Sequence, residues 1–201
     1  MNRSTMKIAR WTSILLSFDT YGFLTTSQIQ RLHNLGGRRN TIRILSDMSE
    51  YLSSFREGES VYYLNSKGRL EIGSEQPQLR RTQTIGHTIM RNDVLISLQP
   101  DIWKPEYIVK WDNYAIQADA LLRTNNAYTF LEVDRTQSMA QNQRKIDMYH
   151  SLKDTGRWQA KNGPFPAMLF VTVSDYRADR LRVLLDKLGL ESQVLTVDDL
   201  R

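Results

Sequence analysis

The chain has no cysteine, which excludes a disulfide framework, a thiolate zinc site and a cysteine nucleophile. No apolar run approaches the ~18 residues that a membrane-spanning helix needs. The opening MNRSTMKIARWTSILLSF begins basic, but its apolar part is short and broken by Thr, Ser and Trp, so it reads as an amphipathic helix rather than a signal peptide. No Gly-rich segment ends in Gly-Lys-Ser or Gly-Lys-Thr, so no phosphate-cradling loop of a nucleotide motor is indicated. The three histidines, His33, His87 and His150, lie far apart and form no His-x-His metal cluster. Internal repeats and low-complexity segments are also lacking. These absences set the expectation of a cytoplasmic protein with no membrane partner, its 201 residues making one large domain or two small ones.

What the chain does have is positive charge in one place. The formal charge is +5 and the pI about 9.5, a mild bias toward a polyanionic partner. Between residues 31 and 43 stand Arg31, Arg38, Arg39 and Arg43 with no acid among them. The surrounding pattern predicts a first helix over 6–18, with Ile8, Trp11, Ile14, Leu15 and Phe18 at helical spacing. A short second helix follows a Thr25/Gln28 capping box, with Leu24 and Ile29 as its hydrophobic staple, and stops at Gly36-Gly37. A third helix is expected over roughly 38–52, with Ile42, Leu45, Met48 and Leu52 as its apolar face. A hairpin then turns at Glu57-Gly58-Glu59. Three helices with a glycine turn before the third and a hairpin behind are the layout of a winged helix-turn-helix, whose third helix enters the major groove by its N-terminal end. That end is RRNTIR. Arg38, Arg39, Asn40, Thr41 and Arg43 are of types that contact phosphates or base edges. Arg56 in the hairpin, with Lys67 and Arg69 just beyond it, would extend the contact. The other reading of this half is a small helical module with a solvated basic face that docks a protein.

After EQPQLRR (75–81), read as a linker, the pattern predicts helix, three strands, helix, strand, helix, strand. The elements are a helix over 82–98, EYIVKW, AIQADALLR, AYTFLEVDR, a helix over 138–153 capped by Ser138 and Gln141, PAMLFVTV, a helix over 177–188 and SQVLTV. The fold class is α/β within this half and α+β overall. The expected division is a winged helix-turn-helix over 1–75 and a mixed-sheet α/β domain over 76–201. A two-residue loop at Asn125-Asn126 pairs positions whose numbers sum to 251. Asp119 then faces Glu132 and Gln117 faces Asp134, all on one face, opposite a core face of Ile116, Ala118, Ala120, Leu122, Leu131 and Val133. Directly opposed like charges destabilise a sheet, so a cation, a basic side chain or a raised pKa must compensate. Gln141, Lys145 and Tyr149 share a face of the next helix and are placed to approach. Oxygen donors of this kind suit Mg²⁺, held by Asp119 and Glu132. Plain salt bridges to a basic helix are the competing account.

At these residues the chain resembles the replication-relaxation family of mobile elements and plasmids in Gram-positive bacteria. The resemblance rests on YYLNSKGRLEI, ADALL, YTFLEVDR and RKIDMY, over about residues 10–155. It implies DNA binding in plasmid or phage replication and DNA relaxation. It also implies an αβββαβ domain similar to the PD-(D/E)XK, restriction-endonuclease-like nucleases. In that pattern an Asp on one strand precedes Glu-x-Lys on the next. Asp119 and Glu132 match, whereas Asp134 occupies the Lys position. Lys145 from the following helix is the candidate to replace it, which makes Asp119, Glu132, Asp134 and Lys145 the catalytic candidates.

Three functions remain open on the sequence. One is a binder of double-stranded DNA acting in replication, relaxation or transcription. The second is a Mg²⁺-dependent nuclease aimed by the winged helix. The third is a docking factor for a replication or relaxase protein. Paired half-sites would call for a homodimer, though no heptad pattern specifies one.

Overall fold

The computed structural model describes residues 3–200. The chain divides into two compact units, one up to Asn92 and one from Asp93. The division falls inside a helix rather than in the 75–81 stretch. Among the described residues no helix is long and apolar enough to cross a membrane.

The first unit opens with α1 (Arg3–Tyr21), followed by a two-residue strand β1 (Leu24–Thr25), α2 (Thr26–Leu32) and α3 (Arg38–Asp47). The capping box forms as expected: the Thr25 hydroxyl accepts from the Gln28 N–H while the Gln28 side chain takes the Thr25 N–H at 3.0 Å. The third helix is shorter than its periodicity suggested. It ends at Asp47, and Leu52 instead starts β2 (Leu52–Glu57), which turns through Gly58 into β3 (Glu59–Leu64). Gly58 has φ +70°, a left-handed conformation that favours glycine. β3 is the middle strand, with β1 and β2 antiparallel on either side.

A helix α4 (Ser66–Glu71), absent from the sequence reading, closes the hairpin. Its Gly68 lies so near the chain that an added Cβ would stand 2.2 Å from the Tyr51 carbonyl oxygen. Helix α5 (Ile85–Leu98) returns to the unit through its first half. There Ile85 joins Phe23 and Val61 in a small apolar cluster. The buried Asn92 amide donates to the Tyr21 and Phe23 carbonyls at 2.9 and 2.7 Å.

The second unit is a mixed α and β structure around a five-stranded mixed sheet. Its strands are β4 (Ile102–Trp111), β5 (Tyr114–Thr124), β6 (Ala127–Asp134), β7 (Ala167–Thr172) and β8 (Ser192–Thr196), adjacent in that order. The first three are antiparallel, and β6–β7–β8 are parallel. Parallel strands need crossovers. These are supplied by α6 (Met139–Asp154) with α7 (Arg157–Asn162), and by α8 (Asp175–Lys187). Helix α7 was not foreseen. The core on the helix side includes Phe130, Ile146, Tyr149, Phe170, Leu181 and Leu185. β7 is buried along nearly its whole length, as its unbroken apolar run suggested.

The outer edge strand β4 carries Lys104, Pro105 and Lys110, and Glu106 sits at φ +50°. Charge, proline and a backbone irregularity are the devices that keep an exposed edge from pairing with another sheet.

Candidate functional site

The β5–β6 hairpin forms in the expected register, from Thr124↔Ala127 to Ala120↔Leu131. Asn125 and Asn126 both adopt positive φ, at 49° and 64°, as a tight primed turn requires. The ladder stops there. Asp119 and Glu132 do not pair, nor do Gln117 and Asp134. Beyond Leu131, β6 keeps pairing only with β7. Gln117 instead donates to Glu106 at 2.6 Å. Where the strands part, the buried Val133 N–H would lack an acceptor, and the Asp119 carboxylate takes it at 2.6 Å. A buried amide must find a partner, so Asp119 acts here as a substitute for the missing strand.

All six residues expected on the core face are buried, and so are Leu121, Phe130, Glu132 and Asp134 on the other face. Ile116 and Ala118 share a core cluster with Leu121 and Phe130. The β4–β5 register is the same on either side of Glu106 and Asp119, from Pro105↔Ala120 to Tyr107↔Ala118. The acids do not form a solvated face. Glu132 and Asp134 are 3% and 1% exposed, and Asp119 is half-buried.

Each buried carboxylate has its own set of donors. Glu132 receives the Tyr149 hydroxyl on Oε1 at 2.5 Å, and the Lys145 ammonium on Oε2 in a very short contact. Both donors come from one face of α6, one turn apart. Gln141, on the same face, does not reach the acids. It completes the capping box of Ser138 at the start of α6. Burial raises the Glu132 pKa to about 8; Lys145 pulls it down, Asp119 pushes it up, and the loss of hydration outweighs the attraction of Lys145. Tyr149 is likewise pushed well above its usual value, first by burial and then by Glu132.

Asp134 belongs to a separate network. Arg177 of α8 grips it with two donors, Nε to Oδ2 at 2.7 Å and Nη2 to Oδ1 at 2.6 Å. Thr172 and Asn142 add bonds of 2.9 Å each. Arg177 also donates to the Gln137 carbonyl at 2.6 Å. A carboxylate enclosed by four donors on three elements is a structural tie. The sequence reading missed Arg177 altogether. An Arg two residues into a helix, some forty positions from its partner, carries no local signal.

These donors compete with a divalent cation for the same oxygens. Mg²⁺ requires anionic oxygens and keeps several waters. Both Glu132 oxygens already accept from protein donors, and burial raises its pKa. One Asp119 oxygen is taken by Val133. Among the described residues no group of three or more His, Asp or Glu is placed to hold a metal.

The basic residues of the first unit are distributed as follows. Arg39 is exposed and makes no hydrogen bond or ion pair among the described residues. Arg38 pairs with Glu59 at 3.2 Å. Glu59 also accepts from the Ser27 N–H and hydroxyl at the start of α2. Burial alone would raise its pKa, but the bonds from Ser27 and Arg38 lower it. Arg43 is exposed and donates to Asn40 at 3.0 Å, and Asn40 donates to the Leu35 carbonyl at 2.8 Å. Thr41 is fully buried, which removes it from any contact surface. Ile42, expected in the core, is 46% exposed, and Ile44 is buried in its stead. On the hairpin side Arg56 is exposed. Lys67 pairs with Glu50. Arg69 folds back onto the Gln76 carbonyl.

Among known proteins, a sequence model described as replication-relaxation matches residues 15–168. No curated protein matches the sequence. Of solved structures, the crystal structure of protein VC1899 from Vibrio cholerae is similar at 13% identity and a TM-score of 0.38, over 95% of this chain and 50% of that one. A structure of an EndoMS–dsDNA2 complex is similar at 16% identity and a TM-score of 0.34, over 72% of this chain and 59% of that one. The chain thus spans about half the length of the first and under two thirds of the second.

Removing Arg177 leaves the buried Asp134 charge without its main partner. Arg177→Met is expected to destabilise the second unit by about 3–5 kcal/mol, measured by denaturant unfolding followed through its tryptophans. A loss below about 1 kcal/mol would contradict the assigned role.

Glu132 makes stability depend on pH. Its folded pKa, about 8, lies above the ordinary value of 4.5. The stability it contributes is complete below the ordinary value and is lost as pH rises through about 8. The Tm of the wild type is expected to fall relative to that of Glu132→Gln as pH rises across this window. A Tm difference that stays constant would refute it.

Proposed function

We propose that this chain, which belongs to the replication-relaxation family, is a double-stranded DNA-binding protein of a plasmid, phage or integrative element in a Gram-positive bacterium. It works in the cytoplasm, in replication and DNA relaxation or in transcriptional regulation. The observation that carries this reading is the solvent face of α3. Arg38, Arg39 and Arg43 stand exposed at its acid-free N-terminal half. The apolar side is buried through Ile44 and Leu45. This is the helix that a winged helix-turn-helix lays in the major groove, and the β2–β3 hairpin with exposed Arg56 takes the place of the wing.

The charges set back from this face are largely compensated. Asp47 lies 3.9 Å from Lys7, and Glu50 pairs with Lys67. Asp47 at the C-terminal end of α3 and Glu50 just beyond it therefore offer little repulsion to phosphates. In this reading Lys67 and Arg69 serve the fold more than the duplex. A homodimer on paired half-sites and a replication or relaxase protein are the partners that such a role calls for.

The nuclease reading draws on the meeting of Asp119, Glu132 and Lys145. The engaged oxygens of Glu132 argue against it, and we assign the second unit a scaffold role.

Arg39→Ala and Arg43→Ala are each expected to weaken duplex binding by about tenfold or more, with Glu132→Gln unchanged. Wild-type affinity is expected to fall steeply between about 50 and about 200 mM salt, because phosphate contacts release counterions. Gel retardation indifferent to both salt and these arginines would overturn the reading.

A further inference from the structure

One side chain on the proposed DNA-contacting face cannot be explained by charge. Ile42 is 46% exposed on α3. The helix does not need it for packing, since Thr41, Ile44, Leu45 and Met48 are all buried. Ile is also a poorer helix former than Ala, Leu or Lys at an exposed position.

A single exposed apolar residue is ordinary on a protein surface. The setting of this one is not. Arg39 stands three positions before it on the same face of α3, and the exposed Arg43 follows it one position round the helix. Among the described residues, no other large hydrophobic side chain between Leu16 and Leu70 is exposed. An apolar docking patch for a protein would need neighbours of the same kind along this stretch.

The major groove offers an aliphatic side chain one apolar feature on its base edges, the C5-methyl group of thymine. Ile42 has no donor or acceptor and can read nothing else there. We infer that Ile42 is a specificity residue that packs on a thymine methyl in the recognised site. This inference rests on the DNA-binding reading above.

The division of labour on α3 follows. Arg39, with no protein partner among the described residues, is available for a bidentate contact to guanine. Arg38 and Arg43 are braced by Glu59 and Asn40 and suit phosphates. Three residues advance a helix by about 4.5 Å, against a base-pair rise of about 3.4 Å. The thymine therefore lies one or two steps from the base that Arg39 reads.

The test starts with selection of duplexes from a random-sequence DNA pool by the full chain. The selected site is then resynthesised with deoxyuridine replacing each thymidine in turn, which removes only the methyl group. At one position the replacement is expected to weaken wild-type binding about fourfold, the worth of one buried methyl. Ile42→Ala, a surface change that keeps the helix, is expected to bind the thymine and uracil versions equally at that position. Discrimination at no position, or discrimination kept in Ile42→Ala, overturns the inference while leaving DNA binding intact. A wild type that retards duplexes in a gel but enriches no sequence overturns this inference alone; one that retards no duplex at all overturns the DNA-binding reading and this inference with it.

Discussion

Two buried carboxylates on the central strand of the sheet constrain the whole second unit. Glu132 and Asp134 sit on β6, where the antiparallel and parallel halves meet. An unpaired charge in such a place costs several kcal/mol, so the surrounding elements must deliver donors. Helix α6 supplies Asn142, Lys145 and Tyr149 from one side, and α8 supplies Arg177. The positions of both helices over the sheet are thereby tied to two side chains of one strand. Apolar burial of Phe130, Phe170 and Leu181 drives the packing, and the polar ties select which packing.

The same ties decide what chemistry the site can do. Each Glu132 oxygen already accepts a protein donor, the Tyr149 hydroxyl on one and the Lys145 ammonium on the other, so a hydrated cation would compete with both. The raised pKa of Glu132 further reduces its attraction for a cation. Asp119 completes the picture, because it replaces a lost strand partner for Val133. In the structure these residues tie the sheet together where its strands diverge.

Much of this was legible in the residues. The Asn125-Asn126 turn gave the hairpin register, and the Ser138/Gln141 and Thr25/Gln28 boxes gave two helix starts, because turns and caps are local chemistry. The approach of Lys145 and Tyr149 to Glu132 followed from helical spacing. What could not be read was set by distant contacts. The parting of β5 from β6 arises because β6 is claimed by β7, over thirty residues later. The Arg177 tie is longer still. The misplacement of Ile42 has another cause. The buried stripe is Thr41, Ile44, Leu45 and Met48, a helical spacing whose first member is polar, so a reading from apolar residues alone begins at Ile42.

The first unit and the second therefore carry different kinds of information. The first has an exposed basic helix face with one exposed apolar residue. The second has buried acids tied to its own helices. The claim that joins them is that the protein holds duplex DNA without breaking it. Incubation with supercoiled plasmid in Mg²⁺, in Mn²⁺ and in EDTA tests this directly, beside Asp119→Asn, which keeps an acceptor for Val133. The account predicts retarded, intact plasmid in every condition and the same result for the variant. Metal-dependent nicking or linearisation by the wild type that Asp119→Asn abolishes would contradict it.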